Sequence, residues 1–142
     1  MHYNGSPFFE VLTMKLGYTI IYVPDVSATL LFFEQAFGLK RRFLHESGTY
    51  GELEIGATTL SFAAHELTVN FRGGYVRVDE SPQPLGIEIG LVTADVEPAH
   101  ALALGVGARE LSPPTPKPWG QIVSYLRTPE GILVELCTPV SP

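Results

Sequence analysis

Apolar and polar positions fall into one design that the chain uses twice. Leu16 to Val23 is rich in β-branched and aromatic residues, which suit a pleated, half-buried surface. Alternation puts Tyr18, Ile20 and Tyr22 on one face and Thr19, Ile21 and Val23 on the other. Asp25 then caps a helix whose apolar residues Val26, Leu30, Phe33 and Phe37 recur at helical spacing. Gly38 ends the helix. Lys40–Glu46, Tyr50–Ile55 and Thr58–His65 read as three strands, parted by turns at Ser47-Gly48 and Gly56-Ala57.

Roughly seventy residues later the design recurs. Gly86–Thr93 is a strand, Asp95 caps a helix with Val96, Ala99, Ala103 and Val106 as its stripe, and Gly105 to Ala108 closes it. Arg109–Leu111, Gln121–Arg127 and Ile132–Thr138 follow as strands. Ser112 to Pro118 holds four prolines, reads as a stiff loop rather than interior strand, and presents Trp119. Residues 1–13 fall outside the repeat and form an N-terminal extension. The remainder, 14–142, is one domain, with module one at about 15–66, a linker at about 67–84 and module two at about 85–139. The fold class expected is α+β: two βαβββ modules forming a curled sheet around a central cup, with helices outside.

Composition narrows the partners. At 142 residues and 45% hydrophobic content, one domain buries a sizeable core. A net charge of -6 with 9 Lys and Arg argues against nucleic acid, whose phosphates need a basic patch. No apolar run approaches the ~18 residues of a membrane span. No secretion signal is visible, and the lone Cys137 fits a reducing compartment, so a cytoplasmic location is expected.

The doubled strand-helix-strand-strand-strand pattern over residues 15–139 resembles the vicinal oxygen chelate superfamily. That group includes glyoxalase I, extradiol dioxygenases, fosfomycin-resistance enzymes and bleomycin-binding proteins. The segment Pro118-Trp119-Gly120-Gln121-Ile122-Val123-Ser124-Tyr125-Leu126-Arg127-Thr128-Pro129-Glu130-Gly131-Ile132-Leu133-Val134-Glu135-Leu136 is similar to the closing motif of that superfamily. In its metal-dependent members four inward positions supply His, Glu or Gln to a divalent ion. The resemblance carries these onto Tyr18, Ser61, Glu88 and Glu135. It also implies a homodimer.

Tyr18 stands where a His is usual, and neutral tyrosine and serine are poor ligands for a divalent ion. No cofactor is therefore expected; if a divalent metal binds, Glu88 and Glu135 hold it. Glu135, between the core-facing Val134 and Leu136, points into the cup as a base, a ligand anchor or a metal ligand. Two carboxylates facing one cavity repel and raise one pKa, which suits a general base or a clamp for a cation. Tyr22 reads as a wall of the cup or as packing, and Gln121 as a polar contact. Trp119 reads as a stacking lid over a flat ligand or a plug at the end of the sheets. His65 reads as a ligand-binding or acid/base group or as a partly exposed residue, and His45 and His100 as surface. The expected function is small-molecule binding in the cup, on the model of the bleomycin-binding relatives. The alternatives are a divalent-metal lyase or isomerase resembling glyoxalase I and a metal-free enzyme with Glu135 as base.

Overall fold

The computed structural model describes residues 13–68 and 71–140; the N-terminal extension expected at 1–13 lies outside them except for Thr13. The chain runs β1 (Tyr18–Val23), α1 (Val26–Phe37), β2 (Lys40–Leu44), β3 (Tyr50–Glu54), β4 (Thr59–Ala64), a single 3-10 turn at His65–Thr68, then β5 (Glu88–Val92), α2 (Val96–Val106), β6 (Arg109–Pro116), β7 (Ile122–Arg127) and β8 (Leu133–Cys137). The strands form two four-stranded mixed sheets, ordered β1-β4-β3-β2 and β5-β8-β7-β6. Each sheet has one parallel pair, β1 with β4 and β5 with β8. The two sheets are not closed into a barrel, and among the described residues no ladder joins β1 to β5.

Local chemistry explains both helices. The Asp25 carboxylate accepts from the Ala28 amide at 3.0 Å, satisfying a first-turn donor. Gly38, at φ 68, turns the chain out of α1 and returns its amide to the Glu34 carbonyl. Asp95 stands at the cap position of α2, but its side chain makes no capping bond. Its own amide instead donates to the Thr93 hydroxyl.

One core runs through both modules. Phe33 of α1 lies 5.0 Å, centroid to centroid, from Phe62 of β4, so Leu60, Phe62 and Ala64 face the helix. Val134 and Leu136 do the same in module two, and the helices pack on one another. By alternation, Thr59, Ser61 and Ala63 and then Leu133, Glu135 and Cys137 face away from the helices. Parallel register adds Tyr18, Ile20 and Tyr22 to the first of these inner faces, and Glu88, Gly90 and Val92 to the second.

Two parts of the sequence reading are corrected here. The proline-rich stretch does not form a loop from Ser112; it extends β6 to Pro116. That strand is the outer edge of its sheet, and its pairing with β7 breaks register twice, so prolines fall where the ladder makes few demands. His100 is not a surface residue. It is buried under α2, where its Nε2 donates to Glu110 at 2.7 Å and its Nδ1 is 2.9 Å from the Ser124 hydroxyl.

Candidate functional site

The inner face of module two carries the most unusual chemistry in the molecule. Glu88 enters on β5 and Glu135 on β8, offset along a parallel pair so that Gly90 is the direct neighbour of Glu135. The absence of a side chain at Gly90 leaves open space beside that carboxylate. Glu88 and Glu135 share a hydrogen bond, and this, with burial and the neighbouring negative charge, pushes the Glu88 pKa up to about 7. Glu135 is held below its ordinary value, first by that bond and further by the Tyr125 hydroxyl, the Cys137 thiol and the nearby Lys117 ammonium. Tyr125 sits directly across from Glu135 in the β7–β8 ladder. Burial, then the bond to Glu135, raises both the Tyr125 and the Cys137 pKa. The coupling thus favours the proton on Glu88 and the negative charge on Glu135.

An apolar cavity of about 280 Å³ lies nearby; Glu88, Glu135, Tyr125 and Cys137 do not line it, but Leu133, the strand neighbour of Glu88, does. It lies where β1 comes near β5 and is walled by Ile20, Tyr22, Tyr75, Val78, Ile87 and Leu133, among others. Leu133 is the cross-strand partner of Glu88, and Ile87 and Ile89, which flank Glu88, also line it. Tyr22 packs 5.4 Å from Tyr75 and 5.9 Å, edge-on, from Phe71, so the linker supplies an aromatic wall.

Two anchors hold the linker in place. His65 contacts the Tyr75 hydroxyl through Nδ1 and donates to Asp79 at 2.8 Å through Nε2. Burial works to raise the Asp79 pKa, but hydrogen bonds from Arg77 and His65 outweigh it and hold the carboxyl below its ordinary value. The second anchor is Arg127, which donates to the carbonyls of Val78, Ser81, Pro82 and Gly131.

The other expected site residues disperse. Tyr18, 58% exposed, and Ser61, fully buried, share the inner face of module one. There the Tyr50 hydroxyl, lying against Ser61, donates to Glu52 at 2.7 Å. Arg42 reaches both Glu52 and Thr59 from β2. Trp119 is 62% exposed and donates to Gln121, whose amide in turn donates to the Thr138 carbonyl, so this pair braces the β6–β7 turn and lines no part of the apolar cavity. His65 serves the linker rather than the carboxyl pair.

The sequence reading did not single out Phe71, Tyr75, Val78 or Tyr125. Tyr125 was within reach of sequence reasoning, because the Thr128–Gly131 turn sets a hairpin register that places it opposite Glu135. The linker residues were not, since nothing in their spacing says which strand they cover.

The donor set also decides how a metal would fare. Two of the four positions implied by resemblance are neutral hydroxyls, and the two carboxyls are already bonded to each other. Among the described residues no three His, Cys, Asp or Glu side chains converge as a metal-binding group. The residues present do not fit a three-ligand metal centre.

Solved structures place this architecture among known ones. A glyoxalase-related enzyme from Fulvimarina pelagi matches at 15% identity with a TM-score of 0.74, over 89% of each chain. The hypothetical protein SA1046 from S. aureus matches at 16% identity and 0.74, over 93% of this chain and 98% of that one. TioX from Micromonospora sp. ML1 matches at 18% and 0.69, over 88% and 98%. At these identities the likeness is one of fold. No curated protein matches the chain significantly. The family model of the Glyoxalase/Bleomycin resistance protein/Dioxygenase superfamily matches residues 15–136, and the chain belongs to that superfamily.

Proposed function

We propose that this protein binds a small organic molecule with an apolar, partly aromatic body and a basic group. The body occupies the cavity behind Tyr22 and Tyr75, and the base lies against Glu88 and Glu135. One observation carries this reading: Leu133, the cross-strand neighbour of Glu88 in the coupled carboxyl pair, is also a wall of an apolar, aromatic-walled cavity. Such a pair holds one proton that a protonated amine can replace, since an ammonium supplies both charge and donors to the two carboxylates. Concave apolar sites with a few convergent polar groups are the usual form of small-molecule pockets.

No step of this reading passes through a metal, because the donor set does not suit one. A thermal-shift screen of aromatic amines and aromatic acids tests it. Amines are expected to stabilise the wild-type protein and to lose that effect in Glu135→Gln. Stabilisation by acids alone, or by amines equally in the variant, would overturn it.

We further propose that the protein works as a homodimer inside the cell. Exposed apolar residues support a partner surface, among them Leu16, Tyr18 and Ile20 along β1 and Ile87 beside β5. No helix among the described residues is long and apolar enough to cross a membrane. Light scattering on the eluting peak tests the dimer, and a monomer mass at all concentrations would contradict it.

A further inference from the structure

Arg109 and Arg127 stand directly opposite one another in the β6–β7 ladder. Both line a polar cavity of about 490 Å³, whose walls also include Asp79, Ser81 and Gly107. Like charges directly opposite on an antiparallel pair repel one another. Burial makes the repulsion worse here: Arg127 is only 7% exposed, and a cation removed from water needs a countercharge. Among the described residues neither guanidinium has an ion pair.

The contacts these residues do make leave the charge uncancelled. Arg127 gives Nε to the Gly131 carbonyl, one Nη1 hydrogen to Pro82, and Nη2 to Val78 and Ser81. Those carbonyls satisfy hydrogen bonds but carry no net charge, and among the described residues one Nη1 hydrogen has no acceptor. Asp79 is the one carboxylate on the cavity wall. Its Oδ1 accepts from His65 and Arg77 and its Oδ2 from Arg77. Gly107 brings the C-terminus of α2 to the same cavity, and its partial negative charge favours Arg109 but amounts to only about half a charge.

We propose that this cavity is an oxyanion site, in which a phosphate or carboxylate group sits between Arg109 and Arg127 and relieves their mutual repulsion, a carboxylate offsetting one of the two charges and a phosphate dianion both. The free Nη1 hydrogen of Arg127 and the open guanidinium of Arg109 supply charge-assisted donors to it. The site is separate from the carboxyl pair but shares a wall with the apolar cavity, because Gly131 lines both. The same Arg127 holds the carbonyl of Val78, a wall of the apolar cavity.

The test is thermal melting of the full chain in inorganic phosphate, and separately in acetate, against chloride at constant ionic strength. A saturable rise in melting temperature with one of the two anions is expected, and which one identifies the group as phosphate or carboxylate. In Arg109→Gln the apparent affinity is expected to fall about tenfold or more. Arg109 is exposed and its side chain makes no hydrogen bond among the described residues, so this variant keeps the fold, as circular dichroism will verify. No saturable effect of either anion on the wild type, or an unchanged affinity in folded Arg109→Gln, overturns the proposal.

Discussion

Glu88 of β5 and Glu135 of β8 are coupled across a parallel strand pair, and their interaction pushes the Glu88 carboxyl up to about 7 while Glu135 is held below its ordinary value. Neither group would do this alone. Alternation of Val134, Glu135 and Leu136 sends the one carboxylate to the inner face, and the parallel register of β5 brings the other beside it. Tyr125, directly across from Glu135 on β7, and the nearby Lys117 ammonium also help to hold the Glu135 carboxyl below its ordinary value. The result is a coupled carboxyl pair one strand neighbour, Leu133, away from the apolar cavity.

The Glu88 proton makes stability depend on pH with a definite sign. Between the ordinary carboxyl value of 4.5 and about 7, the folded chain holds more protons at Glu88 than the unfolded chain does. Stability therefore falls as pH rises through that window and levels off above it. Glu135 works the other way: its lowered pKa gives stability that is present above its unfolded value and is lost as pH falls through the folded one. The pair stabilises most on the acid side of neutral. Urea unfolding from about pH 5 to about pH 8 is expected to show the wild type weakening across that range and Glu88→Gln changing much less. Equal slopes in the two proteins would place the titrating proton elsewhere.

The cavity wall ranks the aromatic residues. Tyr22 lines the cavity and packs on Tyr75 and Phe71. Tyr22→Ala is expected to weaken binding of an aromatic amine probe such as phenylbutylamine by about 1–3 kcal/mol. Trp119→Ala removes an exposed ring that is bonded to Gln121, away from that cavity, and is expected to cost less than about 0.5 kcal/mol of affinity. Calorimetric titration of both variants decides, and the reverse order would move the site to the β6–β7 turn.

His100 is a structural residue on this account. His100→Ala opens a cavity under α2 and strands the buried Ser124 hydroxyl, at an expected cost of about 2–4 kcal/mol in chemical denaturation. Probe affinity of the folded variant is expected to match the wild type. A large loss of affinity at unchanged stability would give His100 a role in binding.

Gly131 has φ 100, and a Cβ there would meet the Val78 carbonyl oxygen at 2.2 Å. Backbone stands against backbone, so no side-chain rotation relieves the contact. Gly131→Ala is expected to lose about 2–3 kcal/mol and to loosen residues 78–82 from Arg127. Limited proteolysis checks the second effect: cutting in the linker should speed up in the variant, and an unchanged pattern would mean the clasp survives the substitution.

What could be read from the chain alone was local. The stripe from Val26 to Phe37 and the cap at Asp25 follow from the pattern within one element, and both are seen. The register of Ser61 follows from β1 pairing in parallel with β4. What could not be read was set by contacts distant in sequence. His100 looks like an exposed helical polar residue until Ser124 and Glu110 arrive from β7 and β6. Phe71 and Tyr75 have no periodicity, and their place as the cavity wall depends on Arg127 holding residues 78–82 from the far module. The prolines of β6 suggested a loop because edge position cannot be seen in composition.

The most direct test of the account compares phenylbutylamine with phenylbutanol, which has a similar body but no charge, by calorimetry on the wild type and on Glu135→Gln. The amine is expected to bind the wild type about tenfold more tightly or better, with that preference gone in the variant while the alcohol binds both alike. Equal binding of amine and alcohol to the wild type, or a preference for the amine that survives in Glu135→Gln, would contradict the carboxyl pair as the element that selects the ligand.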